Sequence, residues 1–274
     1  MFFVDRFQRG LYRCVGKQPA SRAIVLFYHS IPSEDRAKFA RQMDEVIRRA
    51  VPFTADARPD FAPGTLHVAV TFDDGFQSVV ENALPELLKR EIPSTIFIVT
   101  DALGRLPSWQ SYSEGAAMDQ PIMSEGCMRK IASRLVQIGS HTRTHPVLPS
   151  LSDAEIGHEL QSSREKLEEL LGHEVTLFSF PYGAFSDRVV RCCREAGYQR
   201  VFSVLPHMAF SRPAEYVVGR VEAHPDDSLL EFRLKISGAY RWLPFAFALK
   251  RRIVSSFKSN QQRNLASKVS TTGR

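Results

Sequence analysis

Two consecutive acids, Asp73 and Asp74, end an apolar run, HVAVTF at 67–72, and are followed at once by Gly75. Carboxylates side by side at the end of a buried strand repel each other and lose hydration, and a cation offsets both penalties. Asp-Gly is also a common turn pair, so TFDDG alone reads equally well as an acidic turn. His141 and His145, in SHTRTH, supply what the acids lack. Two imidazoles at that spacing share one face if the segment makes a helical turn, and can then chelate one ion; the bland alternative is two loop histidines ahead of Pro146. One carboxylate with two imidazoles leaves coordination positions open. A catalytic metal needs such openings, whereas a structural zinc is closed by four protein ligands.

These residues need a frame that brings them together. Residues 23–28 (AIVLFY), 67–72, 94–99 (STIFIV), 136–140 (VQIGS), 176–180 (TLFSF) and 199–204 (QRVFSV) are short apolar runs rich in β-formers. Helical patterns lie between them. Phe39, Met43, Val46 and Ile47 recur at helical spacing over 36–50, VVENALPELLKRE at 79–91 reads as a helix kinked at Pro85, and another runs from Ser124 through Leu135. Ser152 with Glu155 makes a capping box for a helix stopped by Gly172, and Ser186 caps a further one stopped by Gly197. Six or seven strands alternating with helices over 23–204 predict parallel strands with crossover helices, as a barrel or an open sheet. His29, Asp73-Asp74, His141 and Pro181-Tyr182 each follow directly on a predicted strand. The carboxyl ends of parallel strands share one face, where sites are built, so four distant polar elements should converge.

The strand VAVTFDDG, the H-[ST]-x-x-H pattern of SHTRTH and the strand-loop FSFPYG resemble the signature motifs of the polysaccharide deacetylases, carbohydrate esterase family 4 with its NodB homology domain, over about residues 22–225. That resemblance implies an α/β fold, a distorted (β/α) barrel of about seven parallel strands, and removal of N-acetyl groups from glycans containing N-acetylglucosamine. It implies a divalent metal, zinc first and cobalt, nickel or manganese otherwise, held by Asp74, His141 and His145. Asp73 matches the general base, and Tyr182, after Pro181, the residue whose backbone N–H faces the oxyanion. Two departures stand out. The larger branch of the family has an Arg-x-Pro motif whose arginine holds the base, and Ser179 stands there in this chain. It also has a late Leu-x-His motif that supplies the acid, and none follows residue 204; His224 sits in a polar turn, EAHPDDS. A branch acting on poly-N-acetylglucosamine exopolysaccharides has a permuted barrel with the acid histidine on an early strand. IVLFYHS at 24–30 is similar to that arrangement, which makes His29 the acid candidate. Trp109, in the loop after STIFIVT, is expected to stack on a sugar ring or to pack in the core.

The composition bounds the rest. A chain of 274 residues, 43% hydrophobic and 24% charged, is neither disordered nor collagen-like nor a disulfide scaffold, and is long enough to bury a sizeable core. Its net charge of +6 is unevenly held: ten Lys or Arg and no acid follow Glu231, leaving the first 231 residues at −4. Such a core lacks the electrostatic footprint of a nucleic-acid-binding protein. The expected organisation is an extension at 1–21, a catalytic domain at 22–231, and a basic helix with a disordered tail at 232–274. Within that tail Trp242, Phe245, Leu249, Ile253 and Phe257 form a helical stripe beside basic residues, so 242–258 should either dock on the barrel or lie on anionic lipid. Asp5, Arg6, Arg9 and Arg13 interrupt the stretch where a signal peptide needs apolar continuity, which predicts a cytoplasmic protein, at most peripheral to the inner membrane. Rival readings are a non-catalytic carbohydrate-binding relative and a deacetylase of a lipid-linked or small sugar precursor.

Overall fold

Alternation of β-rich runs with helical patterns builds one parallel sheet. The structure, a computed structural model, describes residues 22–57, 64–109, 119–206, 209–210 and 215–242. The extension at 1–21 and, beyond Trp242, the tail helix expected at 242–258 lie outside the described residues. Nine strands are present among them: β1 (Arg22–Tyr28), β2 (Val51–Pro52), β3 (Leu66–Phe72), β4 (Ser94–Ile98), β5 (Val136–Ser140), β6 (Leu177–Ser179), β7 (Arg200–Phe202), β8 (Val217–Val218) and β9 (Val221–Glu222). The order across the sheet is β8-β7-β6-β5-β4-β3-β1-β9, with every strand pairing parallel.

Its two edge strands, β8 and β9, are separated in sequence only by Gly219 and Arg220. A sheet whose opposite edges lie two residues apart along the chain must curl almost shut. This is the distorted (β/α) barrel the family resemblance implied, and it decides between the barrel and the open sheet that the alternation left open. Eight strands lie along that path where about seven were expected. The ninth, β2, shares one edge of β3 with β4: it pairs with His67 and Val68, while β4 pairs with Val70 to Phe72. The additional strands β2, β8 and β9 have two residues each, too few for any periodicity to register.

Strands covered on both faces read as continuous apolar runs. In β1, Ile24, Leu26 and Tyr28 pack outward with Phe39, Met43 and Val46 of α1 (Arg36–Arg49). Ala23 and Val25 point inward to a cluster with Phe97, Leu177, Phe202 and Val218. The other helices are α2 (Leu84–Leu88), α3 (Glu125–Ile131), α4 (Asp153–Leu171), α5 (Asp187–Glu195) and α6 (Leu229–Ile236).

The helix expected over 79–91 is instead a π-helical turn, Val79–Ala83, leading into α2. Pro85 lacks the N–H an unbroken α-helix would need, and the widened turn absorbs that loss. The helix opened by Ser124 stops at Ile131, short of Leu135. The capping box at Ser152 and Glu155 is formed, Gly172 ends α4 at φ 75°, and Ser186 caps α5. Among the described residues no helix is long and apolar enough to cross a membrane.

Candidate active site

Asp73 and Asp74 follow β3, His141 follows β5, Pro181 and Tyr182 follow β6, and His29 follows β1. All therefore open on the carboxyl rim of the barrel. His29, Asp73, Asp74, Trp109, His141, His145 and Tyr182 line one pocket, closed on the apolar side by Phe27, Phe180 and Val204. Pro181 is buried and is not among the residues that line the pocket. The backbone is strained at three of the lining residues: Asp74 (φ 69°), His145 (φ 64°) and Tyr182 (φ 57°) all adopt the left-handed region, which non-glycine residues visit rarely. Gly75 continues the turn at φ 85°, and a Cβ there would come within 2.5 Å of Ile98 Cδ1.

Asp74 Oδ1 lies 3.4 Å from His145 Nε2 and 3.6 Å from His141 Nε2. Ligand atoms about 2.0–2.1 Å from a tetrahedral zinc stand about 3.3–3.4 Å apart, so this spacing suits one small divalent ion. Two further observations support the fit. Asp74 Oδ1 is buried with no hydrogen-bond partner. His141 donates from Nδ1 to the Ser179 carbonyl at 2.8 Å, the outer contact that leaves Nε2 as the free ligating nitrogen.

The helical turn considered for His141 to His145 does not form. Thr142, at φ 69°, bends the chain instead, and the His145 N–H donates to Thr142 Oγ1 at 3.0 Å. Glu159 of α4 holds the turn from below. Its Oε2 accepts the backbone N–H groups of Arg143 and Thr144, each at 2.9 Å, and its Oε1 accepts the Thr144 hydroxyl at 2.7 Å. Glu159 was legible only as a polar residue interrupting the buried stripe Ile156, Leu160, Leu167 and Leu170. Glu159→Ala should lower stability by about 1.5–3 kcal/mol, the range for hydrogen bonds to a charged group. By loosening the turn it should also weaken metal uptake by about tenfold or more. Denaturant unfolding and metal titration of the same preparation check both.

The two adjacent acids are electrostatically opposite. Burial would raise the Asp73 carboxyl, but the Arg220 guanidinium, with smaller help from His141 and His29, holds it well below the usual carboxylate range. Burial and then the charge of Asp73 push Asp74 well above that range, so Asp74 is the acid that calls for a cation. Burial lowers His141 to about 4. Burial, then the neighbouring His141, lowers His145 to about 2. Both imidazoles are thus neutral near pH 7, the form that ligates. His29 is also lowered by burial, against the opposing pull of Asp73 and Glu222.

Arg220 is the residue that sequence reasoning missed. Fully buried between β8 and β9, it donates from Nη1 to Asp73 Oδ1 at 2.8 Å and from Nη2 to Asp73 Oδ2 at 2.7 Å. It also donates to Ser179 Oγ at 2.7 Å and Thr71 Oγ1 at 3.1 Å, and lies 4.6 Å from the Phe27 ring centroid. The guanidinium absent at position 179 is supplied from residue 220, and Ser179 accepts a hydrogen bond from it. The available signal was a charge inside the β-rich run VVGRV. Trp109 packs against His145, with ring centroids 4.6 Å apart. His224 is not among the pocket-lining residues, and its Nε2 lies 3.5 Å from Glu222 Oε1.

A family model described as "Polysaccharide deacetylase" matches residues 62–201, which include both acids, both histidines and Tyr182 but neither His29 nor Arg220. YxkH of Bacillus subtilis is 24% identical over 212 residues, 73% of this chain and 71% of YxkH. The peptidoglycan-N-acetylglucosamine deacetylase PgdA of Listeria monocytogenes is 24% identical over 161 residues, 58% of this chain but only 30% of PgdA. Among solved structures, IcaB of Ammonifex degensii is similar with a TM-score of 0.66 and 28% identity, covering 81% of this chain and 98% of IcaB.

Proposed function

This chain belongs to the polysaccharide deacetylase family, and from that premise we propose that it is a metal-dependent hydrolase removing N-acetyl groups from a glycan that contains N-acetylglucosamine. We assign it to the branch whose acid histidine lies on an early strand. The observation that carries this reading is the division of labour between neighbours: Asp73 kept ionised by Arg220, and Asp74 left facing two neutral imidazoles. Asp74, His141 and His145 would hold the ion, which when bound supplies Lewis acidity toward a carbonyl oxygen and acidifies water.

The chain's own residues do the rest. Asp73 accepts the proton of the attacking water, a task that needs a carboxylate still ionised in a buried site. We assign the Tyr182 backbone N–H, at the same pocket, to the oxygen that becomes negative as the tetrahedral intermediate forms. His29 delivers a proton to the departing nitrogen, which cannot leave as a free anion. His29 is supported in that role by sharing the pocket with Asp73, where His224 does not. Phe27, Phe180 and Val204 give the acetyl methyl an apolar wall.

Acetate release from N-acetylglucosamine oligomers, with and without a chelator, tests the reading. Release that stops on chelation and returns with zinc or cobalt is expected; none from the metal-loaded protein would count against it. His29→Ala should keep the metal and lose turnover, while His224→Ala should change little. The reverse pattern would remove the chain from the early-histidine branch.

A further inference from the structure

His141 and His145 are held in place by different means. His141 has a hydrogen-bonded outer partner, the Ser179 carbonyl at 2.8 Å. His145 has no equivalent: its Nδ1 is buried and meets no hydrogen-bond partner from another residue. A ligating histidine almost always gives its second nitrogen to an acceptor, because that bond fixes ring rotation and tautomer. Something else must set the plane of His145.

Aromatic rings surround it. The Trp109 ring stacks on the imidazole with centroids 4.6 Å apart and planes at 25°. Tyr182 meets it edge-on, with centroids 4.5 Å apart and planes at 71°. These contacts come from two separate elements, the segment after β4 and the turn after β6, so neither is a by-product of the short H-T-R-T-H turn. Stacked and edge-to-face geometries are the two that aromatic quadrupoles favour, and together they limit rotation about the Cβ–Cγ bond.

We propose that Trp109 and Tyr182 are positioning residues that clamp the His145 imidazole in its ligating orientation, taking the place of the missing outer hydrogen bond. This rests on the metal-centre reading above and assigns Trp109 a task other than contact with a sugar. The requirement at position 109 is an aromatic face, not apolar bulk.

The test uses the full chain, stripped of metal and titrated with zinc against a chromophoric chelator, with the release rate measured separately. Trp109→Leu should weaken zinc binding by about 10–100-fold, the range for loss of an outer-sphere partner, mainly through faster release. Trp109→Phe should recover most of that loss, and Tyr182→Phe should bind as the parent does. Equal weakening by Leu and Phe would overturn the clamp, as would parental affinity in Trp109→Leu. If the parent itself takes up no zinc, the underlying metal reading fails instead, and the two failures are distinct.

A second measurement does not depend on Trp109→Leu folding. The chain has two tryptophans, so Trp242→Phe leaves Trp109 as the sole emitter. Cobalt, followed by its own absorption, should quench that emission in step with binding and saturate at one equivalent. Bound cobalt with unchanged emission would mean that Trp109 does not stack on a ligand.

Discussion

Asp73→Asn should take up metal as the parent does and release acetate about 10²–10⁴-fold more slowly, the scale on which general acid–base groups contribute. The two halves of that result come from different oxygens. Metal uptake depends on Asp74 Oδ1 and the two imidazoles, none of which the substitution touches. Turnover depends on a carboxylate that Arg220 keeps ionised, and an amide of the same shape cannot accept the proton of the attacking water. Asp74→Asn should behave differently, losing metal and activity together. Parallel measurement of bound metal and kcat in the two variants separates the roles. Full activity in Asp73→Asn would show that the base lies elsewhere.

The different fates of two adjacent aspartates mark where sequence reasoning ends. That TFDDG closes a buried strand was legible, because HVAVTF is mostly apolar and rich in β-formers and Gly75 permits the turn. Convergence with SHTRTH and FPYG followed from the rule that parallel strands open their carboxyl ends on one face. What could not be read was the electrostatic split, because it depends on a guanidinium 147 residues away. Local patterns do not encode a contact of that separation. A two-residue strand on either side of Arg220 adds no periodic signal either, so the barrel-closing junction read as loop. The histidine turn was obscure for a related reason. Its shape is set by Glu159 on α4 and by left-handed residues, and spacing alone suggested a helical turn.

Arg220→Met is the substitution with the largest expected effect on the protein as a whole. The guanidinium and the Asp73 carboxylate are both removed from water, with 0% and 4% of their side-chain surfaces exposed. Deleting one partner of such a pair leaves an uncompensated buried charge, which destabilises by about 3–5 kcal/mol. The effect should depend on pH in a defined direction. With Arg220 present, the folded Asp73 carboxyl titrates below its unfolded value of about 3.9, so the pair contributes stability above that pH and loses it as pH falls through the folded value. The gap between parent and variant should therefore be widest near neutrality and begin to narrow once the solution is acid enough to protonate Asp73 in the variant. It should narrow further below about pH 4, where the parent starts to lose its pair. Once the guanidinium is gone, burial and the neighbouring Asp74 act on Asp73 unopposed, and its carboxyl should titrate at higher pH. The acidic limb of the kcat profile should move upward accordingly, a shift that loss of packing alone would not produce. Arg220→Lys retains the charge but not the two-pronged contact, and should fall between parent and methionine variant on both measures. Urea unfolding at pH 7 and near pH 3.5, with kcat followed across the acidic limb, decides the matter. A methionine variant as stable as the parent at neutral pH, with an unmoved acidic limb, would mean that Asp73 is kept ionised by some other group.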